Sequence, residues 1–219
     1  REAISGIGLG SHAPESTPRL MEFFAGRKLP DVKTVILDGL GDFEMADLVS
    51  FAAAAPNLEV LSMKGCAVKG KFEDLKALSK NLKDLNISGC KKIDCKNVFE
   101  VLPTMSWFGQ IQKLSMEGTS AAGTLPGIIL KRIIEGKANF RNCTGPFYLP
   151  NDLSSIKDIE KIDLSSLGNR LQCNIQVLVQ NCPNVTSLNF EGCENIEGDI
   201  KYHKGCTKHR MAKGFTSEM

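Results

Sequence analysis

The sequence NVTSLNFEGCENI, residues 184–196, carries the apolar pattern that decides the fold. Its apolar positions are Val185, Leu188, Phe190, Cys193 and Ile196. The same spacing recurs in LKDLNISGCKKI, residues 82–93, and in LEVLSMKGCAV, residues 58–68. Cys193 therefore occupies a recurring position, and we interpret it as a small buried residue rather than as a catalytic thiol or a metal ligand.

Weaker copies extend this pattern over most of the chain. The position of Cys193 is filled in successive copies by His12, Leu40, Cys66, Cys90, Thr119, Cys143, Leu167 and Cys193, at intervals of 24 to 29 residues. One copy, at Ala138, Phe140 and Cys143, is degenerate, because Glu135 stands where the first apolar residue is expected. A period of this length with an L-x-x-L-x-L-x-x-N/C core indicates leucine-rich repeats.

The repeats resemble the cysteine-containing type of leucine-rich repeat, which is familiar from F-box substrate adaptors and related bacterial effectors. NCPNVTSLNFEGCENIEG, which begins at Asn181, and LKDLNISGCKKID carry the resemblance. Leu40, Thr119 and Leu167 depart from it at the cysteine position. The resemblance implies an α/β leucine-rich-repeat solenoid, a horseshoe in which a parallel sheet forms the concave side and helical or irregular segments form the convex side.

About seven to eight such repeats fit between residues 1 and 200, and residues 201–219 are predicted to be a basic C-terminal tail. Apolar residues at helical spacing predict convex helices near residues 20–24, 72–78, 125–129 and 175–179. The longest interval contains PTMSWFGQ, so Trp107 and Phe108 are expected in a bulge or a longer convex loop.

Composition favours a reducing, cytoplasmic environment, which would be the host cytosol for a secreted effector. The chain has eight cysteines without a paired framework. Its net charge of +2 predicts no strong nucleic-acid or acidic partner for the chain as a whole. No apolar run approaches the ~20 residues that a membrane span needs. The chain begins with Arg1 inside a repeat, which suggests a fragment or a processed form.

Three sets of residues resemble a phosphate-binding loop, a zinc site and a catalytic triad, but each is better explained without such a site. Gly6, Gly8 and Gly10 alternate with apolar residues, as in a strand, and lack the context of a phosphate-binding loop. His203, Cys206 and His209 provide only three clustered ligands, whereas a structural zinc site usually has four. Three histidines, of which His12 lies at a repeat position, do not support a catalytic triad. We therefore expect no enzyme activity, no cofactor and no metal in this chain.

Function is expected on the exposed face of the repeat sheet, because residues that alternate with the buried ones project from it. The predicted protein-binding residues are Lys113, Lys137, Lys161, Arg141, Asn139 and Asp163. The cations suit an acidic protein partner, although Glu117 and Asp163 would also neutralise them in a simple solvated ladder. The prediction is a protein-interaction module, either the substrate-recognition arm of a ubiquitin-ligase adaptor or a bacterial effector that binds a host protein. The alternative is a fragment of an enzyme whose catalytic domain lies outside this chain.

Overall fold

A computed structural model describes Gly6–Gly8, residues 27–198 and Lys208–Arg210. The chain forms two compact units, Arg1–Ala121 and Ala122–Met219. Of the sequence predictions, His12, His203, Cys206 and the helix near residues 20–24 lie outside the described residues.

The first unit contains a parallel sheet made from the predicted repeat strands. The strands of this unit are β1 Gly6–Gly8, β2 Thr34–Ile36, β3 Val60–Ser62, β4 Gly70–Lys71, β5 Asp84–Asn86, β6 Ile93–Asp94 and β7 Lys113–Ser115. Within the sheet, β1, β2, β3, β5 and β7 pair in that order, so that Val35, Leu61, Leu85 and Leu114 lie side by side. All of these residues are buried. A second, two-stranded parallel pair joins β4 to β6.

Helices connect the strands of the first unit. The α-helices are α1 Met45–Ala54 and α2 Val98–Val101, and 3-10 helices span Phe72–Ala77, Leu102–Thr104 and Phe108–Gln110. The segment predicted to be a longer loop therefore consists of short helical turns. Trp107, which lies between two of them, is fully buried, and its indole Nε1–H donates a hydrogen bond to the Leu75 carbonyl at 2.8 Å. This tryptophan is a core residue of the first unit.

The second unit repeats the arrangement with two sets of strands. They are β8 Gly123–Thr124, β9 Ala138–Asn139, β10 Phe147–Tyr148, β11 Lys161–Asp163, β12 Leu171–Asn174, β13 Ser187–Asn189, β14 Asn195–Glu197 and β15 Lys208–Arg210. Parallel pairing gives one sheet in the order β14-β12-β10-β8 and another in the order β11-β13-β15. The segment predicted to be a basic tail thus contains β15, which pairs with β13.

The helices of the second unit lie where the apolar spacing predicts them. They are α3 Gly127–Ile134 and α4 Ile175–Asn181, and 3-10 helices span Ser154–Ile156 and Ser165–Arg170. The Asn174 side chain caps the N-terminus of α4 by accepting a hydrogen bond from the Gln176 N–H. The buried faces of both helices carry leucine, isoleucine or valine, such as Ile129 and Leu178.

The recurring cysteine position is buried in every copy that has a cysteine: Cys66, Cys90, Cys143 and Cys193. The Cys66, Cys90 and Cys193 thiols donate to carbonyls of the preceding repeat, at Sγ–O distances of 2.9, 2.9 and 3.4 Å. The residue before these cysteines turns the chain with a φ near +70°, which glycine adopts without strain, and Asn142 takes this role before Cys143. In each Gly-Cys dipeptide the glycine therefore forms the turn, and the cysteine thiol is an inward-pointing hydrogen-bond donor.

Burial also makes these thiols unreactive. It raises the pKa of Cys66 and Cys193 to about 11 and that of Cys90 to about 12. We expect iodoacetamide to leave Cys66, Cys90, Cys143 and Cys193 unmodified in the folded protein, because burial restricts access to all four thiols. In Cys66, Cys90 and Cys193 the raised pKa also disfavours the reactive thiolate. Peptide mass spectrometry measures this, and the same reaction in denaturant is the control. Rapid modification of Cys193 in the folded chain would contradict its structural role.

Candidate protein-binding face

In the first unit, the predicted binding residue Lys113 projects from β7 and is exposed. It stands opposite Asp84 of β5 in the strand register. Partial burial raises the pKa of Asp84, and the charge of Lys113 acts against this rise. The positive charge of Lys113 is therefore partly offset by a neighbouring strand.

A carboxylate bridge lies just before the strands of the same unit. The Glu59 carboxylate accepts a hydrogen bond from Lys83 Nζ at 2.6 Å, and its other oxygen lies 3.2 Å from Lys33 Nζ. These hydrogen bonds from Lys83 and Lys33 lower the pKa of Glu59. Because these side chains are partly or largely exposed, the bridge orders the edge of the face more than it stabilises the fold.

The outward residue that directly follows the central buried residue of each repeat strand has a structural task, and we call these residues the middle column. In four repeats an Asn or Asp side chain accepts, through Oδ1, a hydrogen bond from the backbone N–H two residues later. The residues are Asn86, Asn139, Asp163 and Asn189, and the distances are 3.0–3.1 Å. Such turns let a short polar side chain shape the backbone where a strand ends. Two predicted binding residues, Asn139 and Asp163, thus hold the turns after β9 and β11.

The remaining predicted cations lie in the second unit. Lys137 is exposed and pairs with Glu135 at 2.8 Å, and this contact lowers the pKa of Glu135. Lys161 begins β11 and is exposed, opposite Ser187 of β13. Arg141 follows β9 and is also exposed. Glu135, which breaks the repeat pattern, thereby neutralises one of the predicted lysines.

Three of the predicted residues line a groove in the second unit. Asn139, Arg141 and Asp163 line it together with Ser165 and Ser166, and its volume is about 400 Å³. Ile133, Ile134, Gly136 and Ala138 complete the lining. Lys137 and Lys161 do not line this groove, and Lys113 belongs to the first unit. Sequence analysis missed the isoleucines, although the irregular repeat at Glu135 was a signal of altered local geometry.

The part of the chain that the structure describes contains no group of three or more His, Cys, Asp or Glu side chains placed to hold a metal ion. Within the same residues, no helix has the length and apolar character to cross a lipid bilayer. The H-x2-C-x2-H motif is not covered by these statements, since only the backbone of His209, in β15, belongs to the described residues.

No protein-family model and no curated protein matches the sequence. Among solved structures, a TDR receptor shares 15% sequence identity with a TM-score of 0.43, over 84% of this chain and 31% of the receptor chain. This chain thus spans about a third of that receptor's length. Internalin C2 of Listeria monocytogenes shares 14% identity with a TM-score of 0.41, over 91% of this chain and 92% of its own. Both scores are low, so the leucine-rich-repeat-like fold is assigned from the repeated strand register of the chain itself.

Proposed function

We propose that this chain is a non-catalytic protein-interaction module that binds a partner through the exposed faces of the repeat sheets in its units. The observation that supports this proposal is that the residues of the repeat strands have separate structural and exposed roles. The inward residues form the core, the middle column holds the turns, and Lys113, Lys161 and Arg141 project outward. Repeat sheets offer extended surfaces of this kind to partners.

The cations of the face favour an acidic partner. Lys161 and Arg141 have no ion-pair or side-chain hydrogen-bond partner among the described residues. Free surface cations accelerate association with an acidic surface and do so less as salt screens the charges. A substrate-recognition arm of a ubiquitin-ligase adaptor and a bacterial effector that binds a host protein both fit this surface. A reducing cytosol fits the absence of disulfide bonds among the cysteines of the described residues in either case.

The test begins with capture of a partner on the immobilised chain, followed by titration of the purified partner. A Lys113→Gln/Lys161→Gln variant should weaken binding about threefold to tenfold at low salt, and less at physiological salt. Glutamine is chosen because a carboxylate at position 113 would face Asp84 across the strands.

The matched control is Lys76→Gln/Lys157→Gln, which removes one exposed charge from each unit outside the repeat sheets. It should bind like the wild type. Equal affinities of the face variant, the control and the wild type at both salt concentrations would contradict binding through the sheet face.

A further inference from the structure

The strand ladder is interrupted inside the second unit. Successive repeat strands pair in register at β2–β3, β3–β5 and β11–β13, but β9 and β11 belong to different sheets. Both strands lie wholly within residues 27–198, where the structure describes no pairing between them. The groove of about 400 Å³ has lining residues from the β9 and β11 segments.

At this interruption α3 runs almost directly into β9. The Gly136 N–H donates to the Ile133 carbonyl and the Lys137 N–H to the Arg132 carbonyl, at 3.0 and 2.8 Å, while Gly136 has a φ of +69°. This is the Schellman ending of a helix. It leaves only Glu135, Gly136 and Lys137 between α3 and β9. The last turn of α3 therefore lies beside the strand, where it contributes to the groove.

The groove combines an apolar side with a polar rim. Ile134 is half-buried and offers the main aliphatic surface, while Ile133 and Ala138 are buried and contribute only their edges to the lining. On the rim, the Asp163 oxygens accept hydrogen bonds from the Ser165 N–H and hydroxyl at 3.0 and 2.6 Å, and from Asn189 Nδ2 at 3.0 Å. These donors hold the Asp163 carboxylate in place within the unit's own structure.

Arg141 differs from the other rim residues. Its backbone N–H is held by Asn139, but its guanidinium has no hydrogen-bond or ion-pair partner among the described residues. A guanidinium presents a planar set of donors that fits a carboxylate with two parallel hydrogen bonds. The groove lining thus includes an anchored backbone, a cation without a partner among the described residues, and the aliphatic side chain of Ile134.

We propose that this groove binds an Asp or Glu side chain of the partner, with an adjacent aliphatic residue of the same extended segment packed on Ile134. The partner's carboxylate pairs with the Arg141 guanidinium. This inference rests on the proposed function and assigns it a specific contact point. The free guanidinium and its aliphatic surroundings favour an acidic-aliphatic pair over an acidic residue alone.

The test uses the full chain and random peptides displayed on phage. Selection should enrich peptides in which Asp or Glu neighbours Leu, Ile or Val. An enriched sequence is then synthesised with an acetylated N-terminus and an amidated C-terminus, so that only its side chain provides the carboxylate. Replacing this acidic residue by its amide should weaken binding about tenfold, as should Arg141→Gln in the protein.

The two changes together form a double-mutant cycle. If the carboxylate contacts Arg141, the Arg141→Gln variant should bind the acidic and amide peptides equally. Arg170→Gln is the matched control, because Arg170 is exposed in the same unit and does not line the groove. It should bind like the wild type. Glutamine at position 141 keeps the backbone N–H that Asn139 binds, so the variant should fold normally.

The results that would overturn the groove assignment differ from those that would overturn the proposed function. Absence of enriched acidic-aliphatic peptides, or equal affinity of an acidic peptide for wild type and Arg141→Gln, would overturn the groove assignment. Neither outcome affects the partner titration with the Lys113→Gln/Lys161→Gln variant. Conversely, peptide binding that depends on Arg141 would support the groove even if those lysine changes left partner affinity unaltered.

Discussion

Replacement of Trp107 by alanine should lower the free energy of unfolding by about 3–5 kcal/mol, the range measured for large aromatic residues in protein cores. The side chain is completely buried in the first unit, and its truncation would leave a cavity. It would also remove the hydrogen bond to the Leu75 carbonyl of the 3-10 helix Phe72–Ala77. Denaturant unfolding followed by circular dichroism measures the effect. Tryptophan fluorescence is unsuitable, because Trp107 is the only tryptophan of the chain and the variant lacks it.

Trp107→Phe serves as the control for this prediction. Phenylalanine keeps much of the apolar volume but removes the indole donor, so that the Leu75 carbonyl keeps only the hydrogen bond from the Leu78 N–H, at a cost of about 0.5–1.5 kcal/mol. We expect the Phe variant to lie between the wild type and the Ala variant. A Trp107→Ala protein with an unchanged denaturation midpoint would show that the PTMSWFGQ segment is not part of the core.

Leu85→Ala and Leu188→Ala should each lower the free energy of unfolding by about 2–5 kcal/mol, because both leucines are the central, buried residues of repeat strands. Leu85 lies between Leu61 and Leu114 in the first unit, and Leu188 lies beside Ile162 in the second. Each truncation therefore interrupts a continuous row of packed side chains. The measurement is the denaturation midpoint of each variant.

Ser187→Ala is the control for Leu188, since it changes the neighbouring outward residue of the same strand. It should alter stability by no more than about 0.5 kcal/mol, as surface substitutions usually do. If Ser187→Ala and Leu188→Ala had equal effects, the register of β13 would be wrong, because neighbouring strand residues point to opposite faces.

The repeat spacing was sufficient to predict the central strands and the buried cysteines. The alternation places Leu61, Leu85 and Leu188 inward, and each is buried in a parallel strand. The short strands of the sheet β14-β12-β10-β8 were not predicted, because two residues such as Phe147–Tyr148 are too few to show an alternation. Helix α1 carries Met45, Leu48 and Phe51 at helical spacing, and this signal was available in the sequence.

The binding face was less predictable than the core. Alternation indicates that Asn139 and Asp163 point outward, but not that their side chains are engaged by the turns that follow. It likewise gives no sign that β9 and β11 belong to different sheets. The turns arise from hydrogen bonds between side chain and backbone, which the apolar pattern does not encode.

The recurrent turns of the middle column also bear on how such a protein could change its partner. Since Asn86, Asn139, Asp163 and Asn189 each anchor a turn, substitution there would disturb the scaffold itself. Lys113, Lys161 and Ser187, which each begin a repeat strand, anchor no turn among the described side-chain hydrogen bonds. New specificity can therefore be selected at the first residue of the repeat strands while the scaffold is retained. The architecture separates the residues that must be kept from those that can diversify.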